Sequence, residues 1–333
     1  MKTIGQGVMG ARGLRTAGWV LALVFLSGCM GNSQTTKPRV DDNALYEGRA
    51  TVTFSSLPVA ETAKEAIEEG DKQIGLTEYD KALYMYIQAM ELDESNTEAM
   101  YKIGSIHLQR GGIYKSVLAF NSVLNLDAEH VGANEARGVI FLKGNRYAEA
   151  QVHFMRAVDA DKKRLSEVAD NLEFDARSPA LAYDGLGIIA DLKGDHILAQ
   201  HYYDTALQVN PRSAITHNNL GYSFYLTKSW RDAERAYKKA LKIEPQYAQG
   251  WRNLGLLYAR QANYMSAITA FERVMDLAHA YNDVGYICLL EGKYKKAEYF
   301  FEKAMTLSPT YYEKANDNLR LTRRMRDTLA SLQ

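Results

Sequence analysis

Cysteine is nearly absent from this chain of 333 residues, which holds only Cys29 and Cys288. Two thiols build neither a disulfide scaffold nor a four-thiolate zinc site. Net charge is missing too, with 40 Lys+Arg against 40 Asp+Glu. A surface that neutralises phosphates needs a basic surplus, so no nucleic-acid partner is expected. Proline is scarce at six residues while Tyr reaches 22, and few breakers favour helix. The apolar run Ala17–Leu26 is ten residues long, too short to span a bilayer as a helix. Disorder is excluded by what is present, 47% hydrophobic and 11% aromatic residues.

Lys2, Arg12 and Arg15 precede that apolar run, and the small residues Ser27 and Gly28 follow it. This is the order of a secretory signal, predicted over residues 1–28, with Met9 a second candidate start. Leu26-Ser27-Gly28-Cys29 resembles the bacterial lipobox. The resemblance implies that Cys29 becomes the lipidated first residue of the mature chain. Met30 stands where inner-membrane lipoproteins carry Asp, which implies the outer membrane, facing the periplasm. Several buried acyl chains hold a protein firmly where one does not. Residues 29–60, polar and turn-rich from Gly31 to Pro38, read as a tether.

One pattern then recurs seven times. Gly221, Phe224, Ala233, Tyr237, Ala240 and Pro245 return 34 residues earlier as Gly187, Ala190, Ala199, Tyr203, Ala206 and Pro211. They return 34 residues later as Gly255, Tyr258, Ala267, Phe271 and Val274. Further copies begin on Gly70, Gly104, Gly138 and Gly285. The pattern resembles the tetratricopeptide repeat, a helix-turn-helix unit of about 34 residues. The implied fold is all-α: a right-handed superhelical solenoid of about seven repeats with a C-terminal capping helix. A small residue in helix A admits helix B, and Pro ends helix B.

Repeats start at 63, 97, 131, 180, 214, 248 and 278. Repeats one to three fill 61–164 and four to seven 180–310, with an insertion at 165–179 that is either a hinge or added helix. The last spacing is short, and helix B of repeat six is expected to run through Val274-Met275-Asp276-Leu277 almost directly into the next helix. Residues 311–333 read as a polar helix, with Tyr312, Ala315 and Leu319 inward and Arg320, Arg323, Arg324 and Arg326 outward. It serves as a cap, or alternatively as a basic helix touching lipid or a partner.

The candidates for metal or acid-base chemistry are the seven histidines (His107, His130, His153, His196, His201, His217 and His279). His196 and His201 are five apart, wrong for two ligands on one helical face, and no His-Glu-x-x-His occurs. Gly185-Leu186-Gly187-Ile188-Ile189-Ala190 mimics a dinucleotide fingerprint, but no strand precedes it. The expectation is a protein without catalytic activity, cofactor, metal or small-molecule substrate.

Members of the repeat family bind peptides on the concave face, through positions 2, 5, 9 and 12 of helix A. Carried over, these are Leu181, Asp184, Ile188 and Asp191 in repeat four and Ile215, Asn218, Tyr222 and Tyr225 in repeat five. Repeat six gives Gln249, Arg252, Leu256 and Ala259, and repeat seven His279, Asn282, Tyr286 and Leu289. Asn219 and Asn253 hold position 6, where relatives use Asn to grip a peptide backbone. Of the cations that clamp a C-terminal carboxylate in chaperone-docking relatives, only Arg252 is in place.

The run Tyr281-Asn282-Asp283-Val284-Gly285-Tyr286, followed by Ala315-Asn316-Asp317-Asn318-Leu319 after Pro309, resembles the tight-adherence (Tad/Flp) pilus assembly lipoproteins. Type IV pilus pilotins are a second resemblance. Both imply a scaffold whose partner is a protein such as a secretin or pilus-assembly component. Two alternatives stay open: an adaptor recruiting peptidoglycan hydrolases or proteases, and an envelope hydrolase or ligand-binding protein using the insertion.

Overall fold

The computed structural model describes residues 57–168 and 173–331. The signal, Cys29 and almost all of the expected tether lie outside the described residues, as does part of the insertion. Among the described residues there are fifteen helices and no strand. Seven pairs come first: α1 (Ala63–Gly75) with α2 (Tyr79–Leu92), α3 (Thr97–Gln109) with α4 (Ile113–Leu126), and α5 (Val131–Lys143) with α6 (Tyr147–Val168). They continue with α7 (Ala180–Lys193) and α8 (His196–Val209), α9 (Ala214–Leu226) and α10 (Trp230–Ile243), and α11 (Ala248–Arg260) and α12 (Tyr264–Phe271). The last pair is α13 (Leu277–Leu290) and α14 (Tyr294–Leu307), followed by α15 (Glu313–Ala330).

One contact, repeated, explains the pairing. Gly70, Gly104, Gly138, Gly187, Gly221, Gly255 and Gly285 in the A helices each face a ring of helix B. The rings are Tyr86, Phe120, Phe154, Tyr203, Tyr237, Phe271 and Phe301, all buried. A Cβ at any of these glycines would stand closer than 3.0 Å to its ring. Only glycine lets the helices close on a ring whose burial contributes about 1.5–3 kcal/mol.

Between helices A and B the chain reverses through one left-handed residue. Thr77, Gly111, Asn145, Gly194, Lys228, Ala262 and Gly292 hold the same place in the seven turns, with φ from 58° to 84°. The next N–H then closes on helix A, as Ser229 N–H does on the Phe224 carbonyl at 2.9 Å. Four of the seven residues are not glycine, so these turns carry backbone strain.

At the insertion, helix B simply continues: α6 runs 22 residues where most others run 14. The Arg164 guanidinium then joins Asp161 on α6 to Asp175 beyond it, the latter at 2.7 Å. Pro179 offers no side-chain acceptor to the start of α7. That role passes to Glu135 of α5, whose Oε1 accepts the N–H groups of Leu181 at 2.9 Å and Ala182 at 3.1 Å. Helix α7 still packs against α5 and α6, as α5 packs against α3 and α4.

Repeat six departs from the sequence reading. Helix α12 does not run through Val274–Leu277 but stops at Phe271 after eight residues. The Asp276 carboxylate caps α13 by accepting the His279 N–H at 3.0 Å. A cap needs extended backbone, which Asp276 has at φ −71°, ψ 163°, so the segment 274–277 cannot stay helical throughout.

The cap keeps the register of a helix A. Ala315, Leu319 and Thr322 are buried, matching Ala280, Val284 and Ile287 in α13. The glycine column, however, is occupied by the exposed Arg320. Arg323 and Arg326 fold back onto Glu302 and Glu298 of α14 at 2.8 and 2.6 Å.

Candidate protein-binding surface

Three of the asparagines expected to face a ligand are buried ties between helices. Asn253 Nδ2 donates to Asn218 Oδ1 at 2.9 Å and its own carbonyl accepts from Gln249 at 3.0 Å. Asn318 donates to Asn282 Oδ1 at 3.0 Å. Asn218, Asn253 and Asn282 are all buried, so their amides are spent on neighbouring helices. Asn219, half-buried, donates to both oxygens of Asp184 at 3.2 Å. Burial pushes the Asp184 carboxyl up to about 6, against the hydrogen bonds from Thr216 and Asn219 that hold it down.

Asp191 is likewise engaged rather than free for a ligand. It accepts from Ser223 at 2.8 Å and from the Tyr203 hydroxyl at 3.0 Å, and meets His196 Nδ1 at 2.8 Å. Leu289, also read as a surface residue, is buried in the core with Ile287 and Cys288.

What does remain accessible is apolar and aromatic. Leu181 and Ile215, at position 2 of successive A helices, are each 55% exposed. At position 9, Ile188 and Leu256 are half-buried and Tyr286 is exposed; Arg252, at position 5, is exposed too. Arg252 has no ion pair among the described residues. Tyr222 and Tyr225 stack, with ring centroids 5.9 Å apart and planes 15° from parallel. Burial raises the Tyr222 phenol to about 12, so it stays a neutral donor. Stacked tyrosines offer broad contact area at low conformational cost.

Two residues that the sequence reading passed over hold this platform. Trp230 meets Tyr225 edge-on at 5.5 Å. Arg260 Nε donates to the Tyr225 hydroxyl at 2.9 Å while its guanidinium reaches Glu291 at 3.5 Å. The signal was the 35-residue interval from Tyr225 to Arg260, the same as from Asn218 to Asn253. Beside the insertion, Asp175 is bound to Arg164 and held well below the usual carboxylate range by it. Among the described residues no group of His, Cys, Asp and Glu is arranged to hold a metal ion. Cys29 lies outside the described residues.

Tetratricopeptide-repeat family models match residues 193–248, 236–269 and 278–311. The fold is thus an all-α tetratricopeptide-repeat solenoid, of a type that generally binds protein partners. No curated protein matches the chain. Among solved structures, pilF of Pseudomonas aeruginosa is 14% identical, with 72% of this chain and 97% of that one covered, at a TM-score of 0.50. A chain of the APC/C hetero-tetramer Cut9–Hcn1 is 16% identical at a TM-score of 0.52, covering 85% of this chain and 56% of its own. A tetratricopeptide-repeat protein from Parabacteroides merdae is 16% identical, with 78% and 98% covered, at a TM-score of 0.47.

Proposed function

We propose that this chain is a lipid-anchored, non-catalytic scaffold that takes a protein segment into the groove formed by its A helices. Cys29 is the anchor and the periplasmic face of the outer membrane the location. The observation that carries the binding role is the exposed pair Leu181 and Ile215 together with the stacked Tyr222 and Tyr225, all at helix-A groove positions, with Arg252 exposed at another. Apolar anchors around rigid aromatics, with one cation, suit an extended apolar segment bearing a single carboxylate.

We further assign the scaffold to assembly or outer-membrane placement of a pilus or secretion machine, resembling the Tad/Flp lipoprotein TadD. The short repeat six, the Asn282–Asn318 tie and the cap after Pro309 support that reading. The fold shared with pilF is compatible with it.

The test is affinity capture from detergent-solubilised envelope with wild type and a Leu181→Ser/Ile215→Ser/Arg252→Ala variant. A secretin or pilus component held by the wild type and lost by the variant supports both assignments. Capture of cell-wall hydrolases instead overturns the pilus role and keeps the scaffold. Equal capture by both proteins overturns the groove. Separately, wild type should fractionate with the outer membrane and Cys29→Ser should not.

A further inference from the structure

Arg137 breaks a column that most of the solenoid keeps apolar. At position 7 of helix A, just before the glycine, stand Ile103, Leu186, Leu220, Leu254 and Val284, all buried. Repeat one has Glu69 there, paired with Lys72 at 3.1 Å and accepting from the Gln73 amide at 2.6 Å. Repeat three has Arg137, half-buried on α5, with no ion pair among the described residues. Its Nε is buried and finds no acceptor. A guanidinium cannot shed its proton to escape that cost, and a buried donor without a partner calls for a reason.

Phe141 gathers the groups beside it. Arg137 and Arg146 each place their guanidinium carbon 4.4 Å from its ring centroid, so the two carbons are no further apart than twice that distance. His153 of α6 stacks on the same ring at 5.3 Å. The Asn134 Nδ2 donates to the carbonyls of Ala128 at 2.9 Å and His130 at 3.2 Å, so its Oδ1 faces His153 Nδ1 at 3.0 Å and takes that proton. Burial, with Arg137 and Arg156 adding to it, pushes the His153 imidazole down to about 4, so the ring is neutral. Arg156 is exposed on α6 and has no ion pair among the described residues. Three guanidiniums thus gather against one carboxylate, that of Glu149. It accepts from Arg146 Nε at 3.0 Å and Nη2 at 2.8 Å, which leaves Nη1 over. Asp159, the next acid along α6, bears on Tyr183 of α7.

We propose that Arg137, Arg146 and Arg156 form a binding site for a dianionic phosphate group beside Phe141. The excess of two positive charges matches a phosphate dianion, and guanidinium forks on either side match its oxygens. A carboxylate, with one charge and two oxygens, satisfies only one fork. Stacking on Phe141 holds Arg137 and Arg146 in place before the anion arrives. Arg137 and Phe141 stand at positions 7 and 11 of helix A, Arg146 at the turn and Arg156 on helix B. None is at a groove position, and the site does not depend on the groove reading above.

The test is calorimetric titration of inorganic phosphate into the full chain in mild detergent, at low ionic strength and about pH 8, above the second phosphate pKa of about 6. Succinate is the control, a dianion without tetrahedral oxygens. The wild type binds phosphate and takes succinate at least tenfold more weakly. Arg137→Leu, which restores the residue type of the column, weakens phosphate at least tenfold, while the melting temperature without phosphate holds or rises. Arg146→Ala, at an exposed side chain, weakens it too, and Arg252→Ala leaves binding intact. Absence of phosphate binding, equal binding of succinate, or binding untouched by Arg137→Leu and Arg146→Ala overturns the proposal. Competition assigns the source of the phosphate, and either result supports the site. Displacement by dihexanoyl phosphatidic acid at a lower concentration than by glycerol 3-phosphate gives it to a lipid headgroup; equal displacement gives it to a soluble phosphate.

Discussion

Repeats one to three and repeats four to seven share a backbone plan, yet one junction in each joins its A helices by opposite chemistry. Across the first junction the tie is an ion pair, Lys102 Nζ to Asp71 at 2.7 Å, partly open to solvent and shared with the Tyr86 hydroxyl at 2.6 Å. Across the repeat-five to repeat-six junction it is the buried amide pair of Asn218 and Asn253. The first half leaves Lys64, Glu98 and Gly132 at position 2, while the second leaves Leu181 and Ile215 there before turning polar again at Gln249 and His279. An exposed ion pair is worth little and is weakened by salt. A buried amide pair is costly to break, because the surviving partner stays desolvated. At the repeat-five to repeat-six junction the joint lies inward and is neutral.

The largest effect expected from breaking this contrast is at Asn253. Asn253→Leu leaves the Asn218 carbonyl buried without its donor and should cost about 2–3 kcal/mol in urea unfolding. The loss should not change between low and high salt. A loss of only a few tenths would mean that water replaces the amide and the two halves do not differ.

Next comes Glu135, at the join of the two halves. Burial lifts its carboxyl from 4.5 to about 7 despite the two N–H groups it accepts, with Asp161 adding to the lift. The folded state thus binds this proton more tightly than the unfolded chain. Its contribution is complete below pH 4.5 and is lost as pH rises through 7. Glu135→Gln should flatten the melting temperature between pH 5 and 8 and stabilise the protein most at the alkaline end. A slope unchanged by the substitution would place the titration elsewhere.

A smaller, stabilising effect is expected in the turns. Ala262→Gly relieves a left-handed alanine at φ 60° and should gain up to about 1 kcal/mol, the strain exceeding the entropy lost. The same substitution at Lys228 should gain a similar amount, whereas Gly292→Ala should lose it. Smallest is Lys102→Ala, at under about 1 kcal/mol and vanishing in 0.5 M salt. A salt-independent cost there would erase the distinction between the halves.

The helices were legible because their cause is local and admits few solutions. A glycine that would otherwise put a Cβ into a ring, sixteen residues before that ring, leaves a mark in the residue types themselves. The groove was legible only in part. Sequence shows that Asn218, Asn253 and Asn282 are amides at groove-adjacent positions, but not that each finds its partner one repeat along. Polarity alone does not distinguish a ligand-facing amide from a buried tie; the interval of 35 or 36 residues does. The end of α12 was missed for a similar reason. Val274-Met275-Asp276-Leu277 has helical composition, and only the cap that Asp276 forms with His279 decides against it. The left-handed turn residues escaped notice because Thr77, Lys228 and Ala262 do not announce that conformation as glycine does.

Arg320 in the glycine column has a further meaning. In the terms of polymer growth, α15 is a terminator: it accepts the preceding unit through Ala315, Leu319 and Thr322 and denies the next helix B its foothold. The number of repeats is thereby written at the end of the stack and not only along it. Lengthening this array requires restoring a glycine at 320, since a repeat appended behind the guanidinium would fold as a separate body.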